Sequence, residues 1–229
     1  MKAYWAELAG VTHLRVEPDG GAEGLPLIIA IHGRGADATD LAGLAGELHG
    51  DRYQWVLPQG PRPVSLAPGY TGWAWYDLGA SQAQTVIESR DLLMRFVDSL
   101  LAKLDVPRSR TLIMGFSQGA VMAMHVGLAS LEPFAGIVAM SGHLPAAEEL
   151  IPILPERLDR KLIMVHGTRD SVLSIDVGRR ARDIIEKAGL KPEYHEFDMD
   201  HQITADSLAV VRSFVERVLP AGEVEGAKP

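Results

Sequence analysis

The stretch Thr111–Gly127, TLIMGFSQGAVMAMHVG, is the strongest constraint on what this chain can fold into. Apolar and β-branched residues run into Gly-Phe-Ser-Gln-Gly, and an apolar, helix-forming segment follows at once. That succession predicts strand, tight turn and helix, with Ser117 at the turn. In a G-x-S-x-G elbow the serine takes a strained backbone at the end of a central strand, and a Cβ on either glycine would crowd strand against helix. Gly115 and Gly119 fill those places. The turn would hold the Ser117 hydroxyl in solvent above the first amides of the helix, where an anion is stabilised. In a chain with 23 glycines the pattern alone is weak, and its weight comes from the strand and helix around it.

Strand and helix signals alternate on both sides of this elbow. Residues 2–17 read as two short strands turning near Ala9-Gly10. Leu25–Ile31, Tyr53–Leu57, Arg110–Gly115, Gly136–Met140, Lys161–Val165 and Glu193–Phe197 are strands, most of them apolar without alternation, as expected where both faces are covered. Helices are predicted over 38–49, 83–104, 118–130, 175–188 and 204–219; in the second, Val86, Leu93, Val97, Leu100 and Leu104 make one apolar stripe. Residues 58–81 read as a long loop rich in proline, glycine and aromatics, and 142–160 as an excursion with one short helix. The pattern predicts an α/β fold, a mostly parallel central sheet with helices on both faces and its site at the carboxyl ends of the strands. Residues 1–219 suffice for one domain without a large lid, and 220–229 read as a flexible tail.

The formal charge of −8 gives no basic footprint for nucleic acid. The absence of cysteine excludes disulfides, thiol catalysis and thiolate metal sites. Neither a signal peptide nor a membrane-spanning run is visible, so a cytoplasmic protein without integral membrane association is expected.

Polar clusters end four of the strands: His32 to Asp37, Ser117-Gln118, His166 to Asp170 and Asp198 to His201. A parallel sheet would bring them to one edge. A serine hydroxyl needs a base, and the base needs a group that fixes its tautomer. Ser117, Asp170 and His201 follow the serine, acid, histidine chain order of one known triad arrangement. Eight histidines compete for the base. His13 and His49 are expected on the surface, His125 lies inside the elbow helix, His195 is mid-strand, and His32 and His166 are placed to hold loops. His143 is the rival, but it precedes Asp170. Asp198 and Asp200 are alternative acids, or caps of the last helix.

The segments IIAIHGRGADATD (28–40), GWAWYD (72–77), GFSQG (115–119), VHGTRD (165–170) and DHQI (200–203) together resemble the phospholipase/carboxylesterase family of α/β-hydrolases, over about residues 25–218. The resemblance implies Ser117 as nucleophile, His201 as general base and then acid, Asp170 as orienting carboxylate, and the backbone amides of Arg34 and Gln118 as the oxyanion hole. Two departures are an arginine at 34, where such families often have a small apolar residue, and Ser171 to Ser174 without the usual proline. The Arg34 side chain is expected in solvent, paired with Asp37 or Asp40.

The expected reaction is acyl transfer to water from a small-molecule ester or thioester, with no cofactor or metal. Trp73, Trp75, Tyr76, Leu144 and Leu150 are the apolar candidates for holding the acyl group. An exposed apolar rim there would equally serve a homodimer. An acyl thioesterase or lysophospholipase on the same site, a peptidase on the same fold and a non-catalytic binding module are the competing readings. A dienelactone-type hydrolase is disfavoured, because its cysteine nucleophile cannot exist here.

Overall fold

In the computed structural model, which describes residues 1–49, 51–155 and 159–220, the alternation read from the sequence becomes ten strands in two sheets. They are β1 (Lys2–Leu8), β2 (Val11–Glu17), β3 (Leu27–Ile31), β4 (Gln54–Pro58), β5 (Arg62–Ala67), β6 (Tyr70–Ala74), β7 (Thr111–Phe116), β8 (Gly136–Met140), β9 (Leu162–Gly167) and β10 (Glu193–Phe197). Eight of them make the main sheet, in the spatial order β1-β2-β4-β3-β7-β8-β9-β10, and β5 and β6 pair separately. β1 and β2 form an antiparallel hairpin, β2 pairs antiparallel with β4, and every pairing in the main sheet from β4 to β10 is parallel. The elbow strand β7 is therefore central, between β3 and β8.

The helices are α1 (Leu44–Glu47), α2 (Gln82–Leu104), α3 (Gln118–Ala129), α4 (Ala147–Leu150), α5 (Ile175–Lys187) and α6 (Ala205–Val218). Successive strand residues point to opposite faces. Ile29, Ile31 and Ile113 accordingly join one core with Leu93, Val97 and Leu100 of α2 and the apolar residues of α3. Ile28, Ala30, Leu112 and Met114 join the other with Val211, Phe214 and Val215 of α6. Double-sided burial is why β3 and β8 read as unbroken apolar runs and why β4 and β9 are apolar but for Gln54 and His166.

Some expectations change. The helix predicted over 38–49 is reduced to the single turn of α1. Gly43 and Gly46 lower helix propensity there, and the Asp37 carboxylate ties the Thr39 amide and hydroxyl into a local turn at 2.8 and 2.5 Å. The long loop over 58–81 contains the β5–β6 sheet, which reverses at Pro68-Gly69 with Gly69 at φ +80°. The tail beyond 220 lies outside the described residues. The excursion over 142–160 carries α4, followed by a 3-10 turn at Ile151–Ile153.

Candidate active site

Ser117 leaves β7 at φ 55° and ψ −118°, a left-handed conformation costly for a residue with a side chain. The flanking glycines permit it. A Cβ on Gly115 would lie 2.2 Å from the Gly119 carbonyl carbon, and one on Gly119 would lie 1.8 Å from the Ile31 carbonyl oxygen. Three backbone bonds fix the turn: Ser117 N–H donates to Met140 O at 2.9 Å, and Ala120 and Val121 N–H donate to Ser117 O. Ser117 itself is half-buried and is the N-cap residue of α3.

Asp170 lies in the turn after β9 with its carboxylate fully buried. Its Oδ1 accepts from the Val172 and Leu173 amides at 3.0 and 2.7 Å, and its Oδ2 accepts from His201 Nδ1 at 2.7 Å. That bond makes Nδ1 the protonated nitrogen and leaves Nε2 with its lone pair. The His201 ring sits 4.8 Å from the ring of Phe116, the neighbour of Ser117. The two loops can meet because residue 167 is glycine: a Cβ there would strike Met199 O at 2.3 Å. His166 braces the acid from behind, donating Nε2–H to Leu173 O at 2.8 Å, 3.5 Å from Asp170 Oδ2.

The other two candidate acids, Asp198 and Asp200, are engaged elsewhere. Asp200 Oδ1 accepts from Ser171 N, Ser171 Oγ and His201 N at 2.7–2.8 Å, bonds that hold its carboxyl below the usual range. Asp198 pairs with Arg169 at 2.5 Å. Neither caps α6, whose cap is Thr204 in a capping box with Ser207. Among the histidines, His13 corrects an expectation: it is buried against Phe96, ring centroids 5.2 Å apart, rather than on the surface. His49 is half-exposed and paired with Glu216. His125 donates Nε2–H to Pro145 O at 2.9 Å, which ties the 142–160 segment to α3. His143 and His195 are half-buried, and neither hydrogen-bonds to Asp170.

The backbone amides of Arg34 and Gln118 have no hydrogen-bond partner among the described residues. The loop carrying Arg34 is anchored on both sides, by Gly35 N–H to Trp73 O at 2.7 Å and by His32, whose Nδ1–H donates to Gly33 O at 2.7 Å. His32 Nε2 accepts from Gly60 N at 3.0 Å, and burial lowers its pKa, so it is a neutral loop brace. The Arg34 side chain is exposed, as expected, but pairs with neither Asp37 nor Asp40 among the described residues, because Asp37 is turned onto Thr39. One contribution was not foreseen. The buried Gln118 side chain accepts from Trp75 N at 2.9 Å and donates to Tyr76 O at 3.0 Å, clipping the residues after β6 to the elbow.

The five apolar candidates fare differently. Trp75 and Tyr76 are 0% and 1% exposed in the core under α2 and α3, and Trp75 donates Nε1–H to His32 O at 3.0 Å. Leu150 is fully buried and Leu144 nearly so, both in that same core. These four pack into the protein interior, which corrects the expectation of an open acyl-binding surface for Trp75, Tyr76 and Leu150; Leu144 keeps only 7% of its surface exposed. Trp73 is half-buried and lines a different cavity, with Trp5. The cavity that His201 does line, about 290 Å³, is walled by Leu41, Leu44, Phe116 and Ile203. The three-residue spacing of Leu41 and Leu44 and the closeness of Ile203 to His201 were the available signals.

Comparison with known proteins agrees with this architecture. A model of the phospholipase/carboxylesterase family matches residues 13–219. Acyl-protein thioesterase 1 of Mycosarcoma maydis is 26% identical over 233 residues, covering 91% of this chain and 97% of that protein. Acyl-protein thioesterase 1 homolog 2 of Dictyostelium discoideum is 29% identical over 178 residues, 74% of this chain and 80% of that one. Among solved structures, esterase PE8 superposes with a TM-score of 0.79 at 24% identity, covering 96% of this chain and 100% of its own. Zea mays acyl-protein thioesterase 2 gives 0.73 at 22%, covering 90% and 98%. The fold is that of an α/β-hydrolase. No helix among the described residues is long and apolar enough to cross a membrane.

Proposed function

The chain belongs to the phospholipase/carboxylesterase family of serine hydrolases, and from that premise we propose that it hydrolyses short- to medium-chain carboxylic esters through Ser117, His201 and Asp170. The observation that carries the assignment is the 2.7 Å bond from His201 Nδ1 to a fully buried Asp170 carboxylate, beside a serine held at φ 55°. Asp170 fixes the tautomer that leaves Nε2 basic. His201 takes the Ser117 proton as Oγ attacks the carbonyl carbon, and the carbonyl oxygen becomes an oxyanion. The unpartnered amides of Arg34 and Gln118 receive that charge; losing one such donor costs about 3 kcal/mol or more in serine hydrolases. The imidazolium gives its proton to the leaving oxygen as the C–O bond breaks, and water repeats the sequence on the acyl-enzyme. Ser117 Oγ makes no hydrogen bond among the described residues. Its contact with Nε2 closes on substrate, as catalytic hydrogen bonds often do.

The acyl chain is assigned to the cavity walled by Leu41, Leu44, Phe116 and Ile203. At about 290 Å³ it lies at the small end of ligand sites, roughly 300–1,000 Å³, which favours short and medium chains. Thioester hydrolysis is the second reading, favoured by the relatives named acyl-protein thioesterases. Initial rates on p-nitrophenyl esters from acetate to palmitate, beside the matching acyl thioesters, test both. Turnover should peak at short or medium chains and fall to background in Ser117→Ala with an unchanged circular dichroism spectrum. Retained hydrolysis in that variant would refute the assignment, and a large preference for thioesters would decide for the second reading.

A further inference from the structure

A second cavity, of about 470 Å³, opens where the β5–β6 hairpin approaches the turn of the β1–β2 hairpin. It falls in the range of small-molecule sites, roughly 300–1,000 Å³, and none of the proposed catalytic groups lines it. Its walls are Trp5, Trp73, Leu92 and Pro61, and its polar groups include Asp37 and Gln59. Trp5 stands 52% exposed on an edge strand. That leaves about half of a large apolar side chain in solvent, in the lining of the same cavity as Trp73 of the separate sheet.

Among the described residues, no lysine, arginine or histidine lines this cavity. Arg62, next along the chain from Pro61, is committed to Glu88 at 2.6 Å and to Asp77 at 3.8 Å. Asp37 is tied to Thr39 through Oδ1 alone, and its Oδ2 makes no hydrogen bond among the described residues. Those bonds from Thr39 hold its carboxyl below the usual range, so it is an anion at neutral pH. Two other lining residues are held by hydrogen bonds: Gln59 accepts from Ala38 N, and Gly60 N donates to His32. Two indole side chains and a carboxylate with one unbonded oxygen, without a cation in the lining, are the kinds of group that recognise an organic ammonium ion. A net charge of −8 adds a long-range attraction for cations.

We propose that the cavity between Trp5 and Trp73 binds a small organic cation of the alkylammonium class, with its charge over the indoles and beside Asp37. The site is separate from the serine chemistry and does not depend on it. The test is isothermal titration of the full chain carrying Ser117→Ala, so that turnover plays no part, with choline and with its neutral carbon isostere, dimethylbutanol. Choline should bind saturably in the millimolar range or tighter, and the isostere about tenfold or more weakly, since it cannot make a cation–π contact. Trp5→Ala and Asp37→Asn should each weaken choline roughly fivefold or more. Asparagine keeps the acceptor for Thr39 and removes only the charge. With Ser117 intact, Trp5→Ala should leave p-nitrophenyl acetate hydrolysis unchanged. Equal affinity for the isostere, unchanged affinity in both variants, or no saturable heat from choline would each overturn the proposal.

Discussion

At the scale of single residues, Asp170 carries the sharpest prediction. Its two oxygens are sorted by their partners, Oδ1 onto the Val172 and Leu173 amides and Oδ2 onto His201. In Asp170→Asn the remaining carbonyl oxygen stays on the two amides, because they are donors, and the NH2 turns toward His201. Nδ1 must then become the acceptor and Nε2 the protonated nitrogen, the wrong tautomer for a base. We expect kcat to fall by about 10⁴, as for the equivalent change in a known triad, while the thermal midpoint moves little; a loss under tenfold would remove Asp170 from the role. Chain order pointed to the pairing of Asp170 with His201, which the 2.7 Å bond bears out. The sorting of its oxygens was not, because it depends on where the turn after β9 aims two amides. Gln118 makes the same point. Its position beside the serine is plain in the sequence, but its side-chain clip to Trp75 and Tyr76 requires the chain some 40 residues earlier to arrive there.

At the scale of elements, the elbow depends on α3 lying directly on β3. Gly119→Ala would drive a methyl into Ile31 O, and backbone cannot retreat as a side chain can. Overpacking of this kind costs about 1–3 kcal/mol or more, so melting should show a clear fall in midpoint. Gly46→Ala is the control. It sits in α1 with nothing within 4 Å of the new Cβ, and it should be neutral or stabilising by up to about 1 kcal/mol. Equal losses in both would mean that glycine acts through chain entropy and not through contact. Buried strands and the striped α2 were legible because burial on both faces, or on one, leaves its own periodicity. The β5–β6 hairpin was not, because its proline and glycine imitate a loop. Trp75 and Tyr76 were misplaced for a related reason: an aromatic cluster looks the same whether it meets substrate or packs beneath it.

At the scale of the whole molecule, burial keeps several imidazoles neutral. His125 is pushed down to about 4, mainly by burial, and His13, His32 and His143 are lowered from the same cause. A histidine depressed in the fold titrates near 6.5 when unfolded, so between those values the unfolded chain binds more protons and stability rises with pH. The contribution is complete above about pH 6.5 and is lost as pH falls toward 4; for His125 it amounts to roughly 3 kcal/mol. Urea unfolding at pH 7.5 and 5 should show the decline, and His125→Gln should flatten it. A stability independent of pH across that window would mean that these side chains reach solvent before the fold opens.

The conformation of Ser117 has a bearing on how such a chain evolves. Glycine would occupy φ 55° without steric strain, so under the proposed mechanism the residue that relaxes the turn and the residue that turnover requires differ at this one position. If Ser117 is the proposed nucleophile, selection for thermal resistance alone would favour Ser117→Gly at the expense of turnover, and pressure on product formation would keep a hydroxyl there.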